Sequence, residues 1–356
     1  MGARVVVAMS GGVDSAIAAA RCVDAGYDVI GISLRLADGG SGSCCSLDDF
    51  QDAAAVADRL GFPHYVFDFR ASFDRDVVQP FVREYLAGRT PNPCARCNQH
   101  IKFDALWEHA RELGAHRLAT GHYARITRRG PSAPPMLRRA ADPEKDQSYF
   151  LFMLSKQALE RTLFPIGDLT KEAVRDDARR RGLPVADKPE SMDICFVPRT
   201  GAAMFVEDRA PRGALRPGTI EAEDGTVLGT HAGVHRFTVG QRRGLGIAGT
   251  ERRYVRRIDA QSGTIVVTPE QGLRARGLRA TEVCWTTGRP PVPNTPLTVR
   301  IRHRHPLLPC RVVRAVGRDC EIRFDTNGPA VTPGQAAVFY DDDVVLGGGW
   351  IVEEVA

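Results

Sequence analysis

A six-residue stretch near the start of the chain has the residue types of a phosphate-binding loop. It reads SGGVDS (Ser10 to Ser15) and follows the apolar run RVVVA. Gly11 and Gly12 let backbone N–H groups approach an anion, the two serines add hydroxyl donors, and a following helix presents its positive end. Because Asp14 would repel bare phosphates, we expect Mg²⁺ to bridge its carboxylate to them. The pattern is neither a P-loop nor a dinucleotide fingerprint; the alternative is a glycine turn with Ser10 or Asp14 as helix cap.

Two further stretches carry cysteines, TPNPCARCNQHIKF (90–103) and SMDICFVP (191–198). In the first, Cys94 and Cys97 stand just before a predicted helix and beside Arg96, a setting that favours the nucleophilic thiolate. The nine cysteines of the chain lack the dense, even spacing of a disulfide framework, so thiol chemistry or metal binding is favoured. Cys44 and Cys45 could complete a four-thiol zinc site, but a vicinal pair chelates zinc poorly and we favour incidental loop cysteines.

Alternating strand and helix patterns place these stretches on a parallel sheet. RVVVA, DVIGISLRL and PHYVFDF read as strands with helical periods between them, and residues 116–120 predict a further strand that ends before Gly121 and His122. This alternation predicts a doubly wound α/β fold. Ligands of such sheets gather at the carboxyl ends of the strands.

The remainder of the chain predicts β structure. After about residue 202 the helical periodicity nearly vanishes, and from Leu278 onward runs such as LTVRIRH, CRVVRAV and CEIRFD predict a barrel or sandwich. We therefore expect a catalytic domain over 1–202, a small β-rich central domain over 203–273 and a C-terminal β-barrel over 274–356. Cys22, Cys284, Cys310 and Cys320 lie in apolar patterns, where we expect buried small hydrophobes.

Composition and charge narrow the class of protein. No secretory leader and no membrane-length apolar run is present, so we expect a cytoplasmic protein without a membrane partner. Seven arginines and one acid lie between Arg236 and Arg257, and ten arginines and one acid between Arg274 and Arg318. These acid-poor stretches predict contact with nucleic acid. The alternative is a general preference for arginine, since the chain has 43 arginines and five lysines.

The SGGVDS stretch resembles the signature loop of the ATP pyrophosphatases, which split ATP between its α and β phosphates. Together with TPNPCARCNQHIKF, ATGHYAR, KDQSYFL, DICF, GQRRGLG and PGQAAVFY, it makes essentially the whole chain resemble the tRNA-specific 2-thiouridylases. The resemblance implies an ATP-dependent sulfurtransferase that adenylates the C2 oxygen of the wobble uridine of tRNA and replaces it with persulfide sulfur. It also implies two partners besides tRNA: a persulfide donor or carrier protein, and a reductant.

The resemblance assigns roles by position. Cys97 would be the nucleophile, and Cys195 would carry the persulfide and alternately form a disulfide with Cys97. The residues expected at ATP are Ala8, Met9, Ser10, Gly11, Gly12, Val13, Asp14, Ser15, Leu34 and Gly121. Those expected at tRNA are Asn92 and Pro93 beside the flipped-out target base, with His122, Lys145, Asp146, Gln147, Arg302, His303 and Gln335.

Three alternatives remain at the level of the sequence. Cys94 stands where many relatives have aspartate, so Cys94, Cys97 and Cys195 could hold a [4Fe–4S] cluster that delivers sulfide. A ligase or amidase acting on a small carboxylate would use the same loop, but it has no use for the cysteine pair. A nucleotide-binding RNA protein without turnover is the third.

Overall fold

The N-terminal part of the protein is built on five parallel strands. The structure is a computed structural model that describes residues 2–38, 46–130, 132–190, 194–248 and 251–355. The strands are β1 (Arg4–Ala8), β2 (Asp28–Arg35), β3 (His64–Asp68), β4 (Arg117–Thr120) and β7 (Thr162–Leu163), in the sheet order β3-β2-β1-β4-β7.

Helices cover both faces of this sheet. They are α1 (Val13–Asp24), α2 (Leu47–Leu60), α3 (Arg70–Phe73), α4 (Gln79–Leu86), α5 (Pro93–Cys97), α6 (Leu106–Glu112), α7 (Lys156–Arg161), α8 (Lys171–Arg180) and α9 (Ala202–Arg209). Two π-helical segments, Asp74–Val78 and Asn98–Ala105, join α3 to α4 and α5 to α6.

Alternate residues of β1 belong to different hydrophobic cores. Val5 and Val7 pack in a cluster with Ile17 of α1, whereas Val6 packs in another cluster with Leu106 of α6. Successive side chains of a strand point to opposite faces, so this division puts one core on each face. The predicted doubly wound α/β domain is confirmed.

A small sheet forms the central part of the chain. Its strands are β8 (Gly218–Ala222), β9 (Val227–His231), β10 (Tyr254–Asp259) and β11 (Thr264–Thr268), in the order β10-β11-β8-β9. Ile220, Val255, Ile265 and Val267 form its core. The predicted division after residue 202 falls at the first residue of α9. Phe205 and Val206 of this helix pack with the N-terminal core. The boundary between the first two domains stays a prediction.

The C-terminal strands close into a six-stranded barrel, as predicted. They are β12 (Ala275–Trp285), β13 (Pro296–Arg300), β14 (Leu308–Val316), β15 (Asp319–Gly328), β16 (Ala336–Asp341) and β17 (Val344–Val355). Pairing of β12 with β17 completes the ring. Cys310 and Cys320 are buried in its core, and Cys22 is buried on the inner side of α1, whereas Cys284 is only half-buried.

A hairpin of the first domain extends the barrel sheet. β5 (Ala124–Thr127) pairs with β6 (Met136–Arg139), and Arg138 pairs with Val344 of β17. Asp343 fastens this joint, because it accepts a hydrogen bond from Arg125 at 2.9 Å and also binds Arg138. Local patterns did not predict this contact. None of the helices in the described ranges has the length and apolar character that crossing a membrane requires.

Thr90 joins the three parts of the chain just before the first cysteine stretch. Its N–H donates to the carbonyl of Pro333 at 2.9 Å, its carbonyl accepts from Gln335 Nε2 at 2.9 Å, and its hydroxyl bonds Thr238 Oγ1 at 3.1 Å. Gly334 packs on the same backbone: it has φ of 90°, and a Cβ there would lie 2.9 Å from the Thr90 carbonyl oxygen.

We expect Gly334→Ala to lower the free energy of unfolding by about 2–4 kcal/mol, because it combines a left-handed backbone with a clash against Thr90. Gly317→Ala is the matched control, since Gly317 also has positive φ but nothing lies within 4 Å of its added Cβ. That control should cost about 1 kcal/mol. Urea unfolding of both variants measures the difference; equal midpoints would contradict the packing constraint.

Candidate active site

The SGGVDS loop (Ser10–Ser15) connects the end of β1 to the first turn of α1. Gly11 has φ of 70°, and a Cβ there would lie 2.3 Å from the carbonyl oxygen of Asp49 in α2. Only glycine fits both the backbone conformation and this close approach. The loop is therefore held against the N-terminal turn of α2.

The first turn of α1 has no side-chain cap. Its N-cap is Gly12, whereas Ser46 and Thr170 cap α2 and α8 by accepting hydrogen bonds from backbone amides. The Ser15 hydroxyl shapes the loop itself, because it donates to the Gly12 carbonyl at 3.0 Å and accepts from the Ser10 amide at 3.2 Å. A helix N-terminus whose first amides have no side-chain acceptor is suited to binding an anion.

Gly121 brings the end of β4 directly against this turn. A Cβ at Gly121 would lie 2.7 Å from the Asp14 carbonyl carbon and the Ser15 nitrogen. Ala8 at the end of β1 is paired with Thr120 of β4, and Leu34 lies near the end of the adjacent β2. The structure thus brings the residues predicted for ATP to one edge of the sheet.

Asp14 is bound by two other side chains of the chain. Its carboxylate accepts from Tyr123 OH at 2.7 Å and from Lys171 Nζ at 2.8 and 2.9 Å. Lys171 Nζ also lies 3.1 Å from a carboxylate oxygen of Glu190, which accepts from Lys145 at 2.8 Å. Burial and the Asp14 charge raise the pKa of Tyr123 far above its ordinary value, so its hydroxyl stays a donor.

A second lysine ties the chain after α8 to α2. Lys188 Nζ donates to Asp49 at 2.7 Å and also to Asp52. Burial raises the pKa of Asp49, but hydrogen bonds from Lys188 and Ser46 outweigh it and hold that pKa below its usual value. Gly11 packs on this same Asp49, so the clamp lies beside the SGGVDS loop.

Sequence reasoning missed Lys171, Lys188 and Glu190, although one signal was present. The chain has five lysines against 43 arginines, and three of the five (Lys145, Lys171 and Lys188) meet carboxylates here. In a chain so rich in arginine, a lysine marks a position that takes a compact ammonium rather than a planar guanidinium.

The first cysteine stretch forms the short helix α5. Asn92 caps it by accepting from the Ala95 amide at 3.2 Å, and Pro93 is its first residue. Cys94 is exposed, whereas Cys97, its last residue, is buried at the start of a π-helical segment. Backbone irregularities of this kind are frequent at functional sites.

Arg96 clamps α5 to the barrel. The guanidinium expected beside the thiols pairs with Glu282 at 2.8 Å and lies over the Trp350 ring, 4.3 Å from its centroid. Glu282 has φ of 51° at an irregularity in the pairing of β12 with β17. A non-glycine residue with positive φ has a strained backbone, so the residue that binds Arg96 is itself strained.

Cys195 packs against the hydrophobic cluster that contains Cys97. The adjacent Phe196 lies with its ring 5.5 Å from Phe73 and 5.2 Å from both Phe81 and Phe205, between centroids. The two predicted catalytic cysteines thus belong to one core. Within the described ranges no three His, Cys, Asp or Glu side chains form a group suited to a metal ion; Cys44 and Cys45 lie outside those ranges.

Comparison with known proteins covers the chain from end to end. A model described as the tRNA methyl transferase HUP domain matches residues 3–199. The tRNA methyl transferase PRC-barrel domain matches 204–269, and the aminomethyltransferase beta-barrel domain matches 275–351. The chain is 50% identical to the tRNA-specific 2-thiouridylase MnmA of Geobacter metallireducens, over 98% of its own length and 96% of the relative's.

The corresponding protein of Thermobifida fusca is 47% identical, with 98% and 96% covered. The chain belongs to the tRNA-specific 2-thiouridylase family. The resemblance inferred from the motifs is confirmed. Among solved structures, the U34-tRNA thiolase NcsA from Methanococcus maripaludis with its [4Fe-4S] cluster is 17% identical to this chain. The match covers 60% of this chain and 67% of that one, with a TM-score of 0.36.

The first-domain residues that are predicted to contact tRNA bind other residues of the protein. Lys145 binds Glu190, and Gln147 accepts from the Tyr123 amide at 2.9 Å. The Asp146 carboxylate is 1% exposed and binds Arg139 and Arg300 at 3.1 and 3.3 Å. This burial indicates that Asp146 positions its neighbours; its contact with RNA stays a prediction.

His122 is also buried, beside Phe103 and Phe164, and its Nδ1 bonds Thr120 Oγ1 at 2.7 Å. Burial holds the pKa of His122 well below its usual value, so the ring is neutral near neutral pH. Its predicted contact with tRNA therefore involves an uncharged imidazole.

The predicted tRNA residues of the barrel side lie at the junctions between domains. Arg302 donates to the Val239 carbonyl at 2.9 Å, and His303 packs its ring 4.4 Å from that of Phe150, between centroids. Gln335 donates to the Thr90 carbonyl. These three positions remain predicted RNA contacts, and each also joins the barrel to another part of the chain.

We expect Lys188→Met to destabilise the protein near neutral pH by about 1 kcal/mol. The folded pKa of Asp49 is lowered, so its contribution is present above its unfolded pKa of about 3.9 and is lost as pH falls through the folded value. The difference from wild type should therefore shrink below about pH 4. Urea unfolding across this range, with the exposed Lys156→Met as control, tests it; a difference independent of pH would contradict the clamp.

Proposed function

We propose that the protein uses ATP to replace the C2 oxygen of the wobble uridine of tRNA with sulfur. The observation that carries the proposal is the combination, in one chain of the 2-thiouridylase family, of an uncapped SGGVDS loop with Cys97 and Cys195 in one core. The loop accounts for activating an oxygen. The cysteine pair accounts for sulfur as the replacing atom.

ATP would lie with its phosphates on the SGGVDS loop and the first turn of α1. Asp14 is the carboxylate that would hold Mg²⁺, which neutralises the leaving pyrophosphate when bound. The residues fit a cation, because the Lys171 ammonium already lies between the carboxylates of Asp14 and Glu190. Family membership argues against a carboxylate ligase and against an RNA protein without turnover.

The reaction needs two thiols. Uridine O2 attacks the α phosphate with loss of the N3 proton, and pyrophosphate leaves. The outer sulfur of a Cys195 persulfide then bonds to C2 as the bond from C2 to the AMP oxygen breaks. Cys97 attacks the Cys195 sulfur, the electron pair of the persulfide bond goes to the sulfur on C2, and the N3 proton returns. The product is 2-thiouridine, with a Cys97–Cys195 disulfide.

Two partners close the cycle. A dithiol reductant returns two electrons to the disulfide, and a persulfide donor or carrier protein reloads Cys195. Cys94 has no step in this scheme, whereas a [4Fe–4S] cluster would use Cys94, Cys97 and Cys195 together. Whether thiolation requires Cys94 therefore distinguishes the persulfide from the cluster as the source of sulfur.

We expect Cys97→Ser and Cys195→Ser to abolish 2-thiouridine, and Cys94→Ser to retain it. Cells that lack the endogenous enzyme are complemented with each variant, and wobble nucleosides are quantified by mass spectrometry. Protein levels and denaturation midpoints serve as folding controls. Loss of 2-thiouridine in Cys94→Ser, with bound iron and sulfide in anaerobically purified wild type, would replace the persulfide route by the cluster route. Undiminished 2-thiouridine in Cys195→Ser would contradict both.

The central domain offers positive charge to the tRNA backbone. Arg242 and Arg243 are exposed, and neither makes an ion pair with another residue that the structure describes. Other arginines of this acid-poor stretch are already paired, such as Arg256 with Glu354. The unpaired arginines are therefore the stronger candidates for phosphate contact.

We expect the double substitution Arg242→Ala and Arg243→Ala to weaken tRNA binding and to reduce the slope of log affinity against log salt by about 1.5, the loss of two phosphate contacts. Filter binding over a salt series measures the slope. Arg179→Ala with Arg180→Ala is the control of equal charge, because both side chains pair with carboxylates near the end of α8. An unchanged slope in the first variant would exclude these contacts.

A further inference from the structure

The hydrogen bonds that Asp14 accepts are unevenly divided between its two carboxylate oxygens. Oδ1 accepts from the Tyr123 hydroxyl at 2.7 Å and from Lys171 Nζ at 2.8 Å, whereas Oδ2 accepts from Lys171 at 2.9 Å. Each carboxylate oxygen has two acceptor positions. Among the contacts of the described ranges, both positions of Oδ1 are therefore used, and one position of Oδ2 is open.

The two donors differ in charge, and this difference decides which of them can stay when a cation binds Asp14. Lys171 carries an ammonium group, which a divalent ion on the same carboxylate repels. The Tyr123 hydroxyl is neutral, and a bond that it donates to one oxygen leaves the other oxygen for the cation. Carboxylates that bind metal ions are generally hydrogen-bonded in this way. Tyr123 is thus the donor that is compatible with a cation on Asp14.

Packing fixes the position of the Tyr123 hydroxyl. The residue is 2% exposed and belongs to the core cluster that contains Ile17 of α1 and Val174 of α8. Its amide donates to Gln147 Oε1, and its carbonyl accepts from the Gln147 amide, both at 2.9 Å. Because a tyrosine has two side-chain torsions, a bonded backbone and a packed ring leave its hydroxyl little freedom.

The acceptor is fixed from the same loop. A Cβ at Gly121 would lie 2.7 Å from the Asp14 carbonyl carbon, so the loop after β4 lies directly on the first turn of α1. The Asp14 side chain is 33% exposed, so a cation can reach it from solvent. Donor and acceptor are thus held in a fixed relation, while the carboxylate remains accessible.

We propose that Tyr123 is a positioning residue of the nucleotide site, whose hydroxyl holds Asp14 Oδ1 so that Oδ2 binds the Mg²⁺ of the nucleotide. The inference rests on the proposed binding of ATP and Mg²⁺ at the SGGVDS loop. Lys171 binds Asp14 when the loop is empty and leaves Oδ2 when the cation binds, and Tyr123 preserves the orientation of the carboxylate through this exchange. The hydroxyl therefore strengthens the part of nucleotide binding that depends on a cation, and no other part.

The test compares nucleotide binding with and without Mg²⁺ in the full-length protein. Equilibrium dialysis measures the dissociation constant of α,β-methylene-ATP, which is not cleaved between its α and β phosphates, in saturating Mg²⁺ and in EDTA. The ratio of the two constants is the cation effect, and in wild type we expect Mg²⁺ to strengthen binding. In Tyr123→Phe we expect the cation effect to fall about tenfold, the size of a lost hydrogen-bond partner of a metal ligand, with binding in EDTA unchanged.

Tyr340→Phe is the matched control. It also removes one buried tyrosine hydroxyl, which lies 3.3 Å from Ser148 Oγ, and it should keep the wild-type cation effect. Denaturation midpoints of both variants check folding. A merely structural role of Tyr123 would weaken binding of the analogue equally in Mg²⁺ and in EDTA and is thereby distinguished.

Asp14→Asn tests whether Tyr123 acts through this carboxylate. A neutral amide binds Mg²⁺ more weakly than a carboxylate does, so the cation effect should fall in this variant alone. Adding Tyr123→Phe to Asp14→Asn should then lower it no further, because the two changes act on one contact. A further tenfold loss in the double variant would contradict the inference.

The outcomes separate the inference from the proposed function. If Tyr123→Phe loses the cation effect and Tyr340→Phe keeps it, the inference stands. If wild type shows a cation effect and Tyr123→Phe shows the same one, the inference fails and the proposed function is untouched. If wild type binds the analogue equally in Mg²⁺ and in EDTA, the inference fails together with the proposed role of Asp14. If wild type does not bind the analogue, the proposed function fails as well.

Discussion

The hydrogen bonds of Thr90 are the constraint on which the arrangement of the three domains depends. The backbone of this residue bonds Pro333 and Gln335 of the barrel side, and its hydroxyl bonds Thr238 of the central domain. Two residues later, Asn92 caps the helix that carries Cys94 and Cys97. The cysteine helix is thus fixed at its start by both β domains, and Arg96 fixes it again through Glu282 and Trp350. The barrel therefore orients the helix that carries Cys94 and Cys97.

The elements and the position of the SGGVDS loop between β1 and α1 could be predicted from the sequence because their signals are local. RVVVA is a buried strand, SGGVDS has the glycines that its loop conformation needs, and the motifs identify the family. The joints could not be predicted in the same way. Pairing of Arg138 with Val344, and of Arg96 with Glu282, connects residues far apart in the sequence, and nothing in their local patterns specifies a partner. Asp146 shows the other limit: the resemblance gives a role in tRNA contact, whereas its burial becomes visible only when Arg139 and Arg300 are placed around it.

Lysine and arginine divide the positive charge of this protein by function. Arginines form the joints, where a planar guanidinium can bind a carboxylate and stack on a ring, as Arg96 does over Trp350. Lysine instead occupies the position beside Asp14, where a compact charge can contact several oxygens with little rearrangement of its neighbours. A guanidinium at Lys171 would favour one carboxylate in a fixed geometry. An ammonium can instead be shared by two carboxylates, as that of Lys171 is.

The KDQ motif, residues 145–147, connects the barrel to the SGGVDS loop through polar contacts. Arg300 of β13 binds Asp146, and the adjacent Gln147 is bonded to the Tyr123 backbone in both directions. The Tyr123 hydroxyl donates to Asp14, and Lys145 reaches the same site through Glu190. Because Asp146 is buried, replacing it leaves Arg139 and Arg300 without their shared carboxylate, so its effect would extend to both the barrel joint and the surroundings of Asp14. Residues that the family resemblance places at tRNA are therefore part of the bonded structure around the SGGVDS loop, where we propose that ATP binds.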